Sequence, residues 1–170
     1  MSLSARSSHP VFVYGTLKPG GYYFSSYCEG KVRSTLPAMI RAWLYHLPRE
    51  GYPAVVLPRT CSADVPWVHG CVHFFADQAD ALALDPLEGY NPGAPDSENE
   101  YNRVKVTAFD SAKSPMATVW TYVMSRERVA ALNGQIVAGG NWVVGLNRPA
   151  PIRPAPPSPG SGQANRPGVQ

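Results

Sequence analysis

Val11-Phe12-Val13-Tyr14-Gly15-Thr16-Leu17-Lys18-Pro19-Gly20 begins with four apolar or aromatic residues, enough for a strand through a core, and breaks at once on a glycine. Glycine at such a junction lets the backbone bend or lets another group come close. The amides of Gly15, Thr16 and Leu17 then follow a strand end, where successive N–H groups can converge on a carboxylate or a developing oxyanion. An ordinary strand-to-loop turn fits the same residues. A phosphate loop does not, because Gly21-Tyr22 stands where Lys-Ser/Thr would have to reach phosphate and magnesium.

Working outward, β-branched and aromatic residues recur in short runs punctuated by glycine and proline, which predicts strands over residues 11–14, 38–47, 54–57, 67–75, 101–109 and 117–124. Helix formers behind an Asp77 N-cap predict a helix over 77–84, and a weaker helical pattern covers 126–132. The fold class expected is α+β: a small mixed β-barrel of about six strands flanked by a few short helices. No internal repeat is present. The polar, turn-rich and acidic stretch 91–100 is the candidate for a mobile loop beside a site.

The chain has 170 residues, 44% of them hydrophobic, the size of one domain with a sizeable core. Residues 1–9 read as a flexible N-terminus, 10–146 as the domain and 147–170 as a disordered tail. From Asn147 onward there are seven prolines, three arginines (Arg148, Arg153, Arg166) and no acid, so the excess of positive charge lies in the tail and the domain is balanced. A balanced domain without a basic stripe argues against nucleic acid as a partner. Two Arg-x-x-Pro-x-x-Pro spacings, at Arg148 and Arg153, fit weak docking of the tail in an aromatic groove, and a solvated terminus is the simpler reading. No apolar run is long enough to cross a bilayer, no secretion signal is seen, and Cys28, Cys61 and Cys71 form neither an even set nor a C-x-x-C pair. The expectation is a soluble, cytoplasmic protein with no membrane partner.

The opening string resembles the Y-G-T-L-x-x-G motif of the gamma-glutamylcyclotransferase-like family, which includes the gamma-glutamylamine cyclotransferases and AIG2-like proteins. Gly51-Tyr52-Pro53-Ala54 is similar to the family's Y-P-A segment, Val68-His69-Gly70-Cys71-Val72 to its V-x-G-x-hydrophobic strand, and Leu84-Asp85-Pro86-Leu87-Glu88-Gly89 to its L-D-x-x-E-G turn. Tyr101-x-Arg103 and Trp120-x-Tyr122 follow in the family's order. Each motif is short, but their succession over residues 11–124 is specific.

The resemblance implies an enzyme that folds a γ-glutamyl group onto itself: the α-amine attacks the γ-carbonyl, 5-oxoproline forms and the attached amine departs, with no cofactor or metal. It implies Glu88 as general base and acid, with a partly apolar pocket raising its pKa, the turn Tyr14, Gly15, Thr16 and Leu17 as substrate-binding, and Tyr122 as a hydrogen-bonding partner. Read without the resemblance, Asp85-Pro86-Leu87-Glu88 is a capping box, with Asp85 the N-cap and Glu88 at N3. His69 and His73 lie two pleats apart on a strand and are expected on the barrel wall, not as metal ligands. Arg103 is either a solvated strand residue or the partner of an acid near the pocket, and the four tryptophans are expected in the core. Asp85, Glu98 and Glu100 could supply a second carboxylate, although a cap and a solvated loop also explain them. The charges of Asp96, Glu98 and Glu100 suit a cationic leaving amine. Two other readings stay open: a non-catalytic domain that binds a γ-glutamyl-like ligand or a partner, and an amidohydrolase in which water attacks and glutamate is released.

Overall fold

Val11, Phe12 and Val13 are buried on a strand with protein on both faces, which is why the opening run does not alternate with polar residues. In the computed structural model, which describes residues 8–143, this strand is β1 (His9–Val13). The stretches 1–7 and 144–170, and with them the proline-rich tail, lie outside the described residues. β1 pairs antiparallel with β5 (Trp67–Phe75), and β5 pairs antiparallel with β2 (Val32–Arg41). β2 meets β6 (Asn102–Phe109), which forms a hairpin with β7 (Pro115–Val123). A parallel bridge between Val11 and Trp120 returns β7 to β1 and closes a barrel in the order β1-β5-β2-β6-β7.

The barrel therefore has five strands. The run predicted as a single strand over 38–47 divides at Ala42, whose N–H donates to Pro66 O at 3.1 Å, and its second half leaves the barrel as β3 (Trp43–Leu47). There β3 joins β4 (Tyr52–Val56) and the short β8 (Gln135–Ile136) in a second sheet of order β4-β3-β8. The apolar pattern through residue 42 gives no warning of this, since both halves are buried.

Among the described residues there are four short α-helices: α1 (Phe24–Tyr27), α2 (Gln78–Leu82), α3 (Leu84–Leu87) and α4 (Arg126–Ala131). Asp77 caps α2 as expected, its carboxylate accepting from Ala79 N at 3.0 Å, and Ser125 caps α4 through Arg128 N at 3.1 Å. The helix predicted over 77–84 is two helices that meet at Ala83. α3 has Ala83 as its N-cap without a side-chain bond, and Glu88 is its C-cap, so the capping box does not form.

Phe12, Ile40, Val68, Val72 and Val119 pack in one core cluster, while Val11, Val13, Leu17, Phe75 and Leu84 belong to a second, on the other face of β1. Of the four tryptophans only Trp142 is buried; Trp43, Trp67 and Trp120 are half-exposed, and each carries a cation over its ring. Trp67 and Trp120 stand on barrel strands and Trp43 on the second sheet, and their amphipathic rings keep one part in contact with solvent. Among the described residues no helix is long and apolar enough to cross a membrane.

Candidate functional site

The turn after β1 is built by its carbonyls. Lys18 N–H donates to Gly15 O at 3.0 Å, Tyr23 N–H to Thr16 O at 3.0 Å and the His73 ring Nε2 to Leu17 O at 2.8 Å. Among the described residues, the N–H groups of Gly15, Thr16 and Leu17 donate to no backbone carbonyl outside the strand ladders. The turn is thus held from its acceptor side. Gly15 is required by space: a Cβ there would come 2.6 Å from Pro53 Cγ and 3.0 Å from Cδ, a buried ring that cannot rotate aside. Gly15→Ala is expected to cost about 1–3 kcal/mol of stability, the usual penalty of overpacking, and to push the turn off Pro53. Thermal unfolding of the variant measures this.

His73 locks the turn from below. It is fully buried, and burial pushes its pKa below the ordinary histidine value. With Nε2–H donating to Leu17 O, Nδ1 accepts from Thr35 Oγ1 at 2.8 Å, so the neutral ring satisfies both nitrogens. Its neighbour His69 is exposed at the end of the same strand face, which separates the two imidazoles that the sequence places together on the wall. Among the described residues no group of three or more His, Cys, Asp or Glu could hold a metal ion. Because the unfolded chain takes up the His73 proton at a higher pH than the folded one, folding stability falls as pH drops below about 6.5, by at most about 1.4 kcal/mol per pH unit. Unfolding midpoints of the wild type and His73→Gln across pH 5–8 test this, and the variant is expected to lose that part of the slope.

Lys18 continues the turn outward. Its ammonium donates to Trp142 O at 2.5 Å and to Asn141 Oδ1 at 3.4 Å, and the Trp142 indole N–H donates to His46 Nδ1 at 3.1 Å. The segment that follows β8 is therefore strapped across the turn.

Between this turn and α3 lies a cleft of about 620 Å³, its open mouth included, lined by Tyr14, Gly15, Thr16, Leu17, Tyr122 and Glu88 together with Phe12, Val13, Tyr23, Tyr52, Pro53, Leu87 and Tyr101. All six residues singled out from the sequence meet here. Glu88 reaches it because α3 ends at that residue; the Glu88 amide closes the helix on Leu84 O at 3.0 Å, and Tyr101 N–H donates to Glu88 O at 3.3 Å. Gly89 follows with φ +64°, a left-handed turn that suits glycine.

Four tyrosines of the cleft give their hydroxyl protons to the protein. Tyr14 donates to Tyr122 O at 2.6 Å, Tyr122 to Asp85 Oδ1 at 2.6 Å, Tyr101 to Pro53 O at 2.7 Å and Tyr52 to Glu100 Oε1 at 2.5 Å. Burial pushes the phenols of Tyr14 and Tyr101 well above their usual range and Tyr122 likewise, with the negative charge of Glu88 adding to each. These three phenols keep their protons, and what remains for a ligand is their lone pairs.

Asp85 is not a cap. It is buried and takes both an ion pair and hydrogen bonds from Arg103, which settles Arg103 as the partner of an acid beside the site. Tyr52 and Tyr101 stand within the motifs quoted from the sequence, yet nothing in a single tyrosine shows that its hydroxyl faces a cleft, and sequence reasoning misses them. Glu100, expected in a solvated loop, is half-buried against Tyr52, whereas Glu98 is exposed in a 3-10 turn. The loop itself is cross-tied at its base: buried Asn99 accepts from Asn91 N at 2.9 Å and donates to Asn91 O at 3.3 Å and to Asn102 Oδ1 at 2.9 Å. Asp96 and Glu100 line a neighbouring open groove, but Arg59, Arg126 and Arg128 line it too, so its charge no longer singles out a cationic leaving amine.

The sequence model of the gamma-glutamyl cyclotransferase, AIG2-like family matches residues 11–144, a span that begins within β1, takes in the rest of the barrel and runs past Trp142. The chain belongs to this family. Among solved structures, YkqA from Bacillus subtilis is 18% identical with a TM-score of 0.54, over 80% of this chain and 40% of that one. A protein from Arabidopsis thaliana whose structure was determined in solution is 23% identical with a TM-score of 0.54, over 75% of each chain. An AIG2-like protein from Mus musculus is 16% identical with a TM-score of 0.51, over 69% of this chain and 77% of that one. At these identities the likeness is one of fold, and this chain spans about two fifths of YkqA. No curated protein sequence matches. Within the family frame, the two segments that meet across the cleft are the Y-G-T-L turn and the L-D-x-x-E-G helix end.

Proposed function

We propose that the protein is a cyclotransferase that converts a γ-glutamyl amine or γ-glutamyl amino acid to 5-oxoproline and the free amine, with Glu88 as general base and acid. The observation that carries this reading is that the Glu88 carboxylate, phenols whose protons are already given away and the Gly15 to Leu17 turn line one cleft. The carboxylate and the phenol oxygens are acceptors suited to an ammonium, and the backbone amides of the turn are donors suited to a carboxylate. A zwitterionic amino-acid head complements both.

In that orientation Glu88 takes a proton from the α-ammonium, and the freed amine attacks the γ-carbonyl carbon of the same molecule. Holding both reacting groups in one bent conformer replaces a bimolecular encounter. As the tetrahedral centre forms, its oxygen becomes negative and needs donors, which the Gly15 to Leu17 turn supplies. The bond to the outer nitrogen then breaks. Two protons leave the α-nitrogen and both end on the departing amine, carried by one carboxylate, so the sum consumes no water and requires no cofactor. Tyr14 and Tyr122 orient the ammonium through their lone pairs. A cytoplasmic setting belongs to the same proposal, supported by the free thiols of Cys28, Cys61 and Cys71.

The test is to incubate the pure protein with γ-glutamyl derivatives of cationic, neutral and anionic amines and to quantify 5-oxoproline and glutamate. Formation of 5-oxoproline with an equal amount of amine is expected. Release of glutamate would mean that water is the nucleophile, and no turnover of any member would leave a binding domain. A uniform rate across the charges would end the idea of a cationic leaving group.

A further inference from the structure

Behind the cleft wall, Asp85 sits on α3 three residues before Glu88 and is only 8% exposed. A single nitrogen of Arg103, Nη1, donates to both of its oxygens, at 3.1 Å to Oδ1 and 2.8 Å to Oδ2. The guanidinium also lies over two rings, 4.8 Å from the Trp120 ring centre and 5.3 Å from that of Tyr90, so leaving Asp85 would cost it two aromatic contacts. The third bond to Asp85 comes from the cleft: the Tyr122 hydroxyl donates to Oδ1 at 2.6 Å. Asp85 is not itself among the lining residues, and its hydrogen bond to a lining side chain is the one from Tyr122.

A phenol has one proton, and where that proton goes decides what the oxygen offers elsewhere. An ionised carboxylate can only accept. We propose that Asp85, paired with Arg103, is a positioning residue: it takes the Tyr122 proton in a hydrogen bond and thereby fixes the Tyr122 hydroxyl as a hydrogen-bond acceptor for the ligand's ammonium. The pair also ties α3 to the barrel wall, so the same contact that sets the polarity of Tyr122 sets the position of the helix that ends in Glu88. This deepens the cyclotransferase reading and rests on it for its kinetic consequences, while the direction of the proton can be read without any turnover.

Asp85→Asn reverses that direction. Arg103 still needs an oxygen, so the oxygen of the new amide takes the place of Oδ2 and its NH₂ faces Tyr122. The phenol must then accept from that NH₂, and its proton turns into the cleft towards a cation. KM for a γ-glutamyl substrate is expected to rise about tenfold, the scale of one charge-assisted hydrogen bond, with kcat changed less. Because the effect passes through one hydroxyl, the double variant Asp85→Asn, Tyr122→Phe should bind no worse than Tyr122→Phe alone. KM effects that multiply in the double variant would overturn the proposal. The second arm uses the wild-type protein with ¹³C at the tyrosine ring carbon that bears the hydroxyl. Tyr122 should stay un-ionised at a pH where the free model compound N-acetyltyrosinamide has already ionised, and in Asp85→Asn, where it folds, Tyr122 should ionise earlier than in the wild type. Ionisation of Tyr122 together with the free model compound would overturn the proposal even if the asparagine variant does not fold. If the wild type cyclises nothing, the functional reading fails, and the difference in Tyr122 ionisation between the wild type and Asp85→Asn still decides the role of Asp85.

Discussion

Glu88→Gln is expected to lower 5-oxoproline formation by about 10²–10⁴-fold, the usual contribution of a positioned acid–base group, while leaving the fold intact. The amide keeps the size of the side chain, and the part of Glu88 that closes α3 is its backbone N–H, which donates to Leu84 O and is unaltered by the substitution. An N3 glutamate of a capping box would behave in the opposite way, since its loss would unravel the helix start and cost stability with little effect on chemistry. The comparison therefore separates the two readings of the same residue. Rates of 5-oxoproline release and thermal midpoints of both proteins are the measurements. A variant that cyclises substrate as fast as the wild type would remove Glu88 from the mechanism.

The largest expected effect on stability comes from Arg103→Ala. The Arg103 and Asp85 side chains are 16% and 11% exposed, and removing the cation leaves a buried carboxylate without its counter-charge. Breaking a pair of this kind costs about 3–5 kcal/mol, which for a domain of this size lowers the unfolding midpoint by about 10–20 °C. The loss reflects desolvation more than the attraction itself. Replacing both partners, as Asp85→Leu with Arg103→Met, is accordingly expected to recover most of the stability, because no charge remains buried. The recovered protein should still bind substrate poorly, since Tyr122 has lost the acceptor for its proton. Calorimetry of the single and double variants, followed by KM for the double, checks both halves.

Much of this architecture can be read from local pattern. β5 is legible residue for residue as 67–75, because aromatic and β-branched residues stand at both of its ends and proline precedes it. The Asp77 cap is legible because an acceptor side chain stands before a run of helix formers. Ala42 is not, because leaving one sheet for another at a buried alanine changes partners without changing hydrophobicity. The meeting of the Gly15 turn with Glu88 rests on the order of short motifs, and no local property of either segment indicates a distance between them. Asp85 shows the limit most clearly. Asp-Pro is a good helix start, and only the tertiary placement of Arg103 and Tyr122, far along the chain on β6 and β7, makes that carboxylate part of the wall behind the cleft.

The strap that Lys18 throws to Trp142 has a consequence for biosynthesis. The turn leaves the ribosome before its clamp, which is encoded more than 120 residues later. The closing strand of the barrel is likewise a late product, since Val11 waits for Trp120. A nascent or prematurely terminated chain can therefore carry every residue of the Tyr14 to Leu17 turn and Glu88 and still lack the seat that holds them in register. A chain that stops before Trp142 has the turn without its clamp.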